Sequence, residues 1–178
     1  MSGRRQWVAV TGAVTTAIFA VVLIVRLRAQ YTVLGVGSHA PGFNAIDLAT
    51  GRPVTLAAYR GRPILVNIWA TWCEPCRVEM PALERLTKKL AGTDFRVVAV
   101  SVDRDDSSVV HRFARDLGLS FDILHDQGGE IQRIYQTTGV PESFVIDRDG
   151  YIVKKVIGAA EWDGPVNETL VRRLVDER

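Results

Sequence analysis

Residues 64–70, Ile-Leu-Val-Asn-Ile-Trp-Ala, form an apolar run broken only by Asn67 and rich in β-branched and aromatic side chains. A run that does not alternate with polar residues is the pattern of a strand covered on both faces, and such strands belong to α/β sheets with helices on either side. The rest of the chain agrees with that constraint. Residues 43–56 hold two short apolar stretches about Ala49-Thr50-Gly51 and predict a β-hairpin. Residues 74–90 predict a helix kinked at Pro81, with Glu84 and Lys88 as an i,i+4 pair on its exposed side. Residues 95–103 read as a second buried strand. Val109, Val110, Phe113 and Leu117 then recur at helical spacing behind the capping residues of 103–108, among them Asp103, Asp105 and Asp106. Residues 121–124 predict a third strand and residues 130–135 a short helix. Residues 142–157 predict a hairpin about Asp149-Gly150, and residues 162–175 a closing helix. With no internal repeat, residues 43–178 are expected to form one α/β domain, large enough to bury its core without a disulfide.

A second apolar run precedes this domain. Residues 7–25 carry no charge and no proline, about the length a helix needs to cross hydrocarbon, and predict a transmembrane signal-anchor over residues 1–28. A cleaved signal peptide is the competing reading, since Arg4 and Arg5 precede the run. It is disfavoured because the run is long, ends in Arg26 and Arg28, and is not followed at once by a small-x-small site. Residues 29–42, small and punctuated by glycine, suit a linker.

The formal charge of +2 divides unevenly. Residues 1–30 hold four arginines and no acid, which leaves eighteen basic and twenty acidic side chains for the rest. The excess of base therefore belongs to the flanks of the apolar run, and no basic stripe interleaved with aromatics points to nucleic acid. The arginines on the two flanks balance too evenly to orient the segment by themselves.

Cys73 and Cys76 are the only cysteines in the chain. A bridge across so short a loop would restrict the unfolded chain little, so a purely structural staple is a poor account of them. Cys73 follows a buried strand and opens a helix, where unpaired N–H groups and the helix dipole favour a thiolate. Attack by that thiolate on a partner's disulfide gives a mixed disulfide, which Cys76, one turn further on, is placed to resolve. Pro75 lies in the first turn, where its missing N–H costs little. Zinc would need two more ligands, and His39, His111 and His125 lack the required spacing, so no metal is expected. A Cu(I) site from both sulfurs and His125 is the better metal alternative. Glu79 shares a helix face with Cys76, Leu83, Leu86 and Leu90, which points its carboxylate inward, where its pKa is raised and it can exchange a proton with Cys76. A solvated helix glutamate is the bland alternative.

Residues 43–83, through Trp-Cys-Glu-Pro-Cys and the following Pro81, together with Thr-Thr-Gly-Val-Pro-Glu-Ser-Phe at 137–144, resemble the membrane-anchored, extracytoplasmic thioredoxin-like proteins grouped around TlpA, ResA and CcmG. The resemblance covers essentially residues 38–178. It implies a thioredoxin-like fold, a central mixed sheet with helices on both faces, with Cys73 attacking and Cys76 resolving. It also implies a cis Val140-Pro141 bond packed beside the cysteines, the backbone there and Trp72 contacting substrate. Glu79 matches a functional acid of the family. Glu74, Pro75 and Asn67 are structural neighbours of the site, and Asn67 stands where thioredoxins proper carry a titratable aspartate. Trp69 is assigned to the core. By the same resemblance the chain is a thiol:disulfide oxidoreductase, a reductant of protein disulfides in cytochrome c biogenesis, possessing no dissociable cofactor. Apocytochrome c is its implied substrate and a membrane electron donor of the CcdA or DsbD type its implied partner. Disulfide chemistry belongs outside the cytoplasm, which implies a cytoplasmic amino terminus and an extracytoplasmic or periplasmic domain. A peroxiredoxin-like peroxidase and a Sco-like copper chaperone remain alternatives, the latter weakened by its wider cysteine spacing.

Overall fold

The computed structural model describes residues 2–30 and 33–177 and resolves the chain into two compact units, the second beginning at Leu34. The first is a single helix, α1, Ser2–Gln30, most of whose described side chains are exposed. Among the described residues, however, no helix is long and apolar enough to cross a membrane, so the expected transmembrane segment is not shown. Within α1, Thr15 and Thr16 both turn their hydroxyls back to the carbonyl of Gly12, at 2.9 and 2.8 Å.

The second unit is built on strands β1 Asn44–Asp47, β2 Arg52–Thr55, β3 Ile64–Trp69, β4 Arg96–Ser101, β5 Asp122–His125, β6 Glu142–Ile146 and β7 Ile152–Ile157. They form one mixed sheet of order β2-β1-β5-β4-β3-β6-β7. Every residue of β3 is buried, so both faces of the sheet are covered at its centre, as the uninterrupted apolar run required. β3 runs parallel to β4 and antiparallel to β6, with Ile68 opposite Glu142. This register brings the start of β6 beside the end of β3.

Among the described residues, four α-helices, α2 Glu74–Lys89, α3 Ser107–Asp116, α4 Glu130–Ile134 and α5 Pro165–Asp176, and a short 3-10 helix Leu56–Tyr59 complete the unit. α2 is capped by Cys73, carries Glu74 in its first turn and Lys88 and Lys89 in its last, charges that suit the helix dipole, and contains Pro81. α3 is capped by Asp106, whose carboxylate accepts from Ser108 N at 2.8 Å. Two expectations need correction. Glu84 does not lie on an exposed face: it is buried and accepts from both the N–H and the hydroxyl of Ser120 at 2.8 Å, while Lys88 reaches it from solvent at 3.2 Å. The last helix starts at Pro165 behind Gly164, three residues later than expected, because Trp162 is drawn inward.

Part of the expected linker also belongs to the folded unit. Leu34 and Ala40 are buried, Gly37 N donates to Ile152 O at 2.8 Å, and His39 bridges to Tyr151. Residues 31 and 32 of the expected linker lie outside the described residues. At the end of the sheet away from the cysteines, Arg148 donates to Gly61 O at 2.9 Å, Val175 O at 2.7 Å and Glu177 O at 2.8 Å, and pairs with Asp94.

Candidate active site

The buried strand β3 ends at Trp69 and the chain enters α2 within four residues, which places Cys73 at the helix N-cap. Cys73 and Cys76 are joined in a disulfide with their Cα atoms 5.3 Å apart. Cys73 Sγ accepts from the Cys76 N–H at 3.2 Å, so the first turn of α2 already offers a donor to the sulfur that carries negative charge after reduction. Cys76 is fully buried and Cys73 nearly so, whereas Trp72, the residue before it, is 67% exposed. A large apolar side chain held in water beside a reactive sulfur is available for contact with an incoming chain.

The second wall of the site follows from the strand register. The Val140–Pro141 peptide is cis, and Val140 O lies 3.5 Å from Cys73 Sγ. Pro141 O accepts from Gly158 N at 2.8 Å, which ties this turn to the end of β7. Glu142 is fully buried: its Oε1 lies 2.9 Å from Lys155 Nζ and its Oε2 accepts from Thr138 N at 3.2 Å.

Beneath the disulfide lies a buried polar cluster. Glu79, one turn after Cys76, is 2% exposed. Its Oε1 accepts from Trp162 Nε1 at 2.6 Å and from Ala160 N at 3.0 Å, and its Oε2 accepts from Asn67 Nδ2 at 3.1 Å. Asn67 Nδ2 also donates to Ser143 Oγ at 2.9 Å, while Asn67 Oδ1 has no hydrogen-bond partner among the described residues. Burial raises the carboxyl's pKa above its ordinary range, and the hydrogen bonds from Trp162, Ala160 and Asn67 pull in the other direction. Asn67 cannot titrate, so Glu79 is the acid of this cluster.

A further carboxylate holds the loop that carries the cysteines. Asp103, which the sequence placed among capping residues, is fully buried. It accepts from Thr71 N at 2.9 Å, Thr71 Oγ1 at 2.5 Å and Ser101 Oγ at 2.6 Å. Asp103, Glu142, Ser143, Ala160 and Trp162 were not legible as parts of the site; the only local signal was Glu142 following Pro141. Glu74 and Pro75 lie exposed in the first turn of α2, and Trp69 is buried against Phe113 with ring centroids 5.0 Å apart. His125 lies buried with Nε2 2.8 Å from Asp103 O, and among the described residues no cluster of three or more His, Cys, Asp or Glu is arranged to hold a metal ion.

The arrangement is a redox-active disulfide with one sulfur at a helix N-terminus, an apolar approach and an adjacent buried acid. Comparison with known proteins gives the same chemistry. Residues 36–155 match the AhpC/TSA family. The chain is 34% identical over 123 residues, 69% of its length and 70% of the relative's, to the thiol-disulfide oxidoreductase ResA of Bacillus thuringiensis subsp. konkukian. It is 35% identical over 129 residues, 72% of its length and 73% of the relative's, to ResA of Geobacillus thermodenitrificans. Among solved structures, the thioredoxin domain of a thiol-disulfide oxidoreductase from Bacteroides vulgatus superposes with a TM-score of 0.70 at 26% identity, covering 80% of this chain and 99% of that one. A thiol:disulfide interchange protein from Bacteroides sp. gives 0.69 at 26% identity, covering 82% and 93%. The shared architecture is the thioredoxin-like fold.

Proposed function

We propose, from the premise that this chain belongs to the AhpC/TSA family and is a thiol-disulfide oxidoreductase of the ResA type, that it reduces disulfides in protein substrates outside the cytoplasm. The observation that carries the reading is Cys73 Sγ at the N-cap of α2, accepting the Cys76 N–H at 3.2 Å, with Glu79 buried one turn behind. In the dithiol form the Cys73 thiolate attacks one sulfur of the substrate disulfide; a Cys73–substrate bond forms and the other substrate sulfur leaves as a thiolate, which takes a proton from water. Cys76 then gives its proton to Glu79 and attacks Cys73 Sγ, which closes the Cys73–Cys76 bond and releases the second substrate sulfur. The exposed Trp72 and the backbone at Val140 and Pro141 flank the approach to Cys73 and hold the substrate chain.

The substrate class is a pair of cysteines that must be kept reduced for a later bond-forming step, as in the haem-attachment cysteines of apocytochrome c. Electrons come from a membrane donor of the CcdA or DsbD type. Exposed apolar side chains of α1, including Val10, Val14, Ile18 and Phe19, support attachment of the chain at a membrane, with the amino terminus cytoplasmic and the domain on the oxidising side.

Cys76→Ser is expected to trap substrate as a mixed disulfide on Cys73 that Cys73→Ser cannot form, read on non-reducing gels. The reduction potential of the pair fixes the direction of electron flow. A value near about −270 mV supports a reductant, and one near about −120 mV makes the protein an oxidant instead. Peroxide consumption lost in Cys73→Ser would replace the reading with a peroxidase.

A further inference from the structure

Glu79 is reached from two directions. One side faces the turn of α2 that carries Cys76. The other opens into a cleft of about 530 Å3 between α2 and the loop 158–164 that follows β7. Val78, Ala82 and Arg85 of α2 line one wall; Ala159, Ala160 and Asp163 line the other. Glu79 lies in this lining, and neither cysteine does. Trp162, fully buried, grips Oε1 through its indole N–H at 2.6 Å, and Ala160 N joins it at 3.0 Å. The cleft is therefore a water-accessible space that reaches the acid without passing the disulfide.

We infer that this cleft is the route by which Glu79 exchanges its proton with water, and that Trp162 is the positioning residue that holds the carboxyl at its floor. The inference rests on the proton-transfer role of Glu79 proposed above. In the resolving step the Cys76 thiol proton moves to the Glu79 carboxylate as the Cys76–Cys73 bond forms and the substrate sulfur departs. That proton must then leave while the substrate chain still covers the cysteine face. A separate exit on the α2 flank lets it pass to water without waiting for product release.

The groups around Glu79 define what sets its proton affinity. α2 contributes Cys76 and Arg85, β3 contributes Asn67, β6 contributes Ser143, and the loop contributes Glu161, Trp162 and Asp163. Arg85 is paired with Asp163 at 2.6 Å, and Lys89 reaches Asp163 O at 2.9 Å and Glu168 at 2.7 Å. From β7, Lys154 lies 6.0 Å from the Trp162 ring and donates to Asn167 Oδ1 at 2.6 Å. These cations have their own partners, so the charged carboxylate is held by neutral N–H donors, of which the indole is the shortest contact.

The test follows the resolving step in the full chain: release of thionitrobenzoate from its mixed disulfide with Cys73, recorded against pH. Trp162→Phe is expected to move the midpoint of that profile up by about one pH unit, since it removes one donor to a charged group. In a Glu79→Gln background the same replacement is expected to leave the profile unmoved. Ala159→Phe, at an exposed position on the rim, is expected to narrow the cleft and move the midpoint in the same direction. A Trp162→Phe profile that superimposes on the parent, or a shift that persists with Gln at position 79, overturns the inference. Should Trp162→Phe fail to fold, an unmoved midpoint in Ala159→Phe does so alone. A Glu79→Gln protein with the parent profile removes instead the proton-transfer role itself.

Discussion

Glu79 is a carboxyl that the fold has buried and then surrounded with donors from two other segments, β3 and the loop after β7. Its raised pKa gives its stability effect a definite sign. The folded state binds this proton more tightly than the unfolded chain, so the stabilisation is fully present below the unfolded value and is lost as pH rises through the folded one. Glu79→Gln cannot ionise. Its melting temperature relative to the parent is therefore expected to rise as pH is increased from about 4.5, the ordinary glutamate range, towards neutrality. A difference that stays constant across that range would mean the carboxyl does not change charge in the folded protein. Local pattern could place Glu79, because its phase with Cys76 and Leu83 is a property of one helix. It could not place Asp103, Glu84 or Trp162. Their partners lie 32, 36 and 83 positions away in the chain, and nothing in the neighbouring residues records such contacts.

At the level of elements, the strands and helices were legible wherever burial imposes a period: the uninterrupted run of β3, the recurrence along α3, the Asp-Gly turn between β6 and β7. Boundaries failed where tertiary contacts outweigh local preference. α5 begins late because Trp162 turns inward to Glu79, and residues 34–42 leave the linker because their backbone bonds to the β6–β7 hairpin. That hairpin offers a direct test of the docking. Gly150 has φ +89°, and a Cβ there would lie 2.9 Å from His39 Nε2. Gly150→Ala is expected to cost about 2 kcal/mol, part from the left-handed backbone and part from the collision. His39→Ala in the same chain should recover the second part and leave the first, a coupling that chemical denaturation of the four proteins would reveal. Strictly additive losses would show that the ring and the turn do not meet.

For the whole molecule, the division into α1 and a unit that starts at Leu34 has a measurable consequence. The disulfide, Glu79 and every hydrogen-bond partner described for them lie within the second unit. Residues 34–178 alone are expected to unfold in one cooperative transition and to keep the full chain's reduction potential. A potential that moves on removal of α1 would place part of the redox tuning in the first unit. The α/β plan could be read from the order of strands and helices, and its thioredoxin-like form came from the resemblance carried by residues 43–83 and 137–144. The pairing of β1 with β5, which sets the far half of the sheet, could not, because short strands whose paired residues lie 77 and 79 positions apart carry no mark of each other in their own sequence.

The Arg148 guanidinium binds carbonyls from the segment before β3 and from the end of α5, and the carboxylate of Asp94. It thereby acts as a fulcrum at the end of the sheet remote from the cysteines. The sulfur–sulfur bond that is made and broken lies at the opposite end of the sheet, away from this clasp. The frame that a partner meets is therefore expected to be the same in both oxidation states, with only the few residues around Cys73 telling them apart.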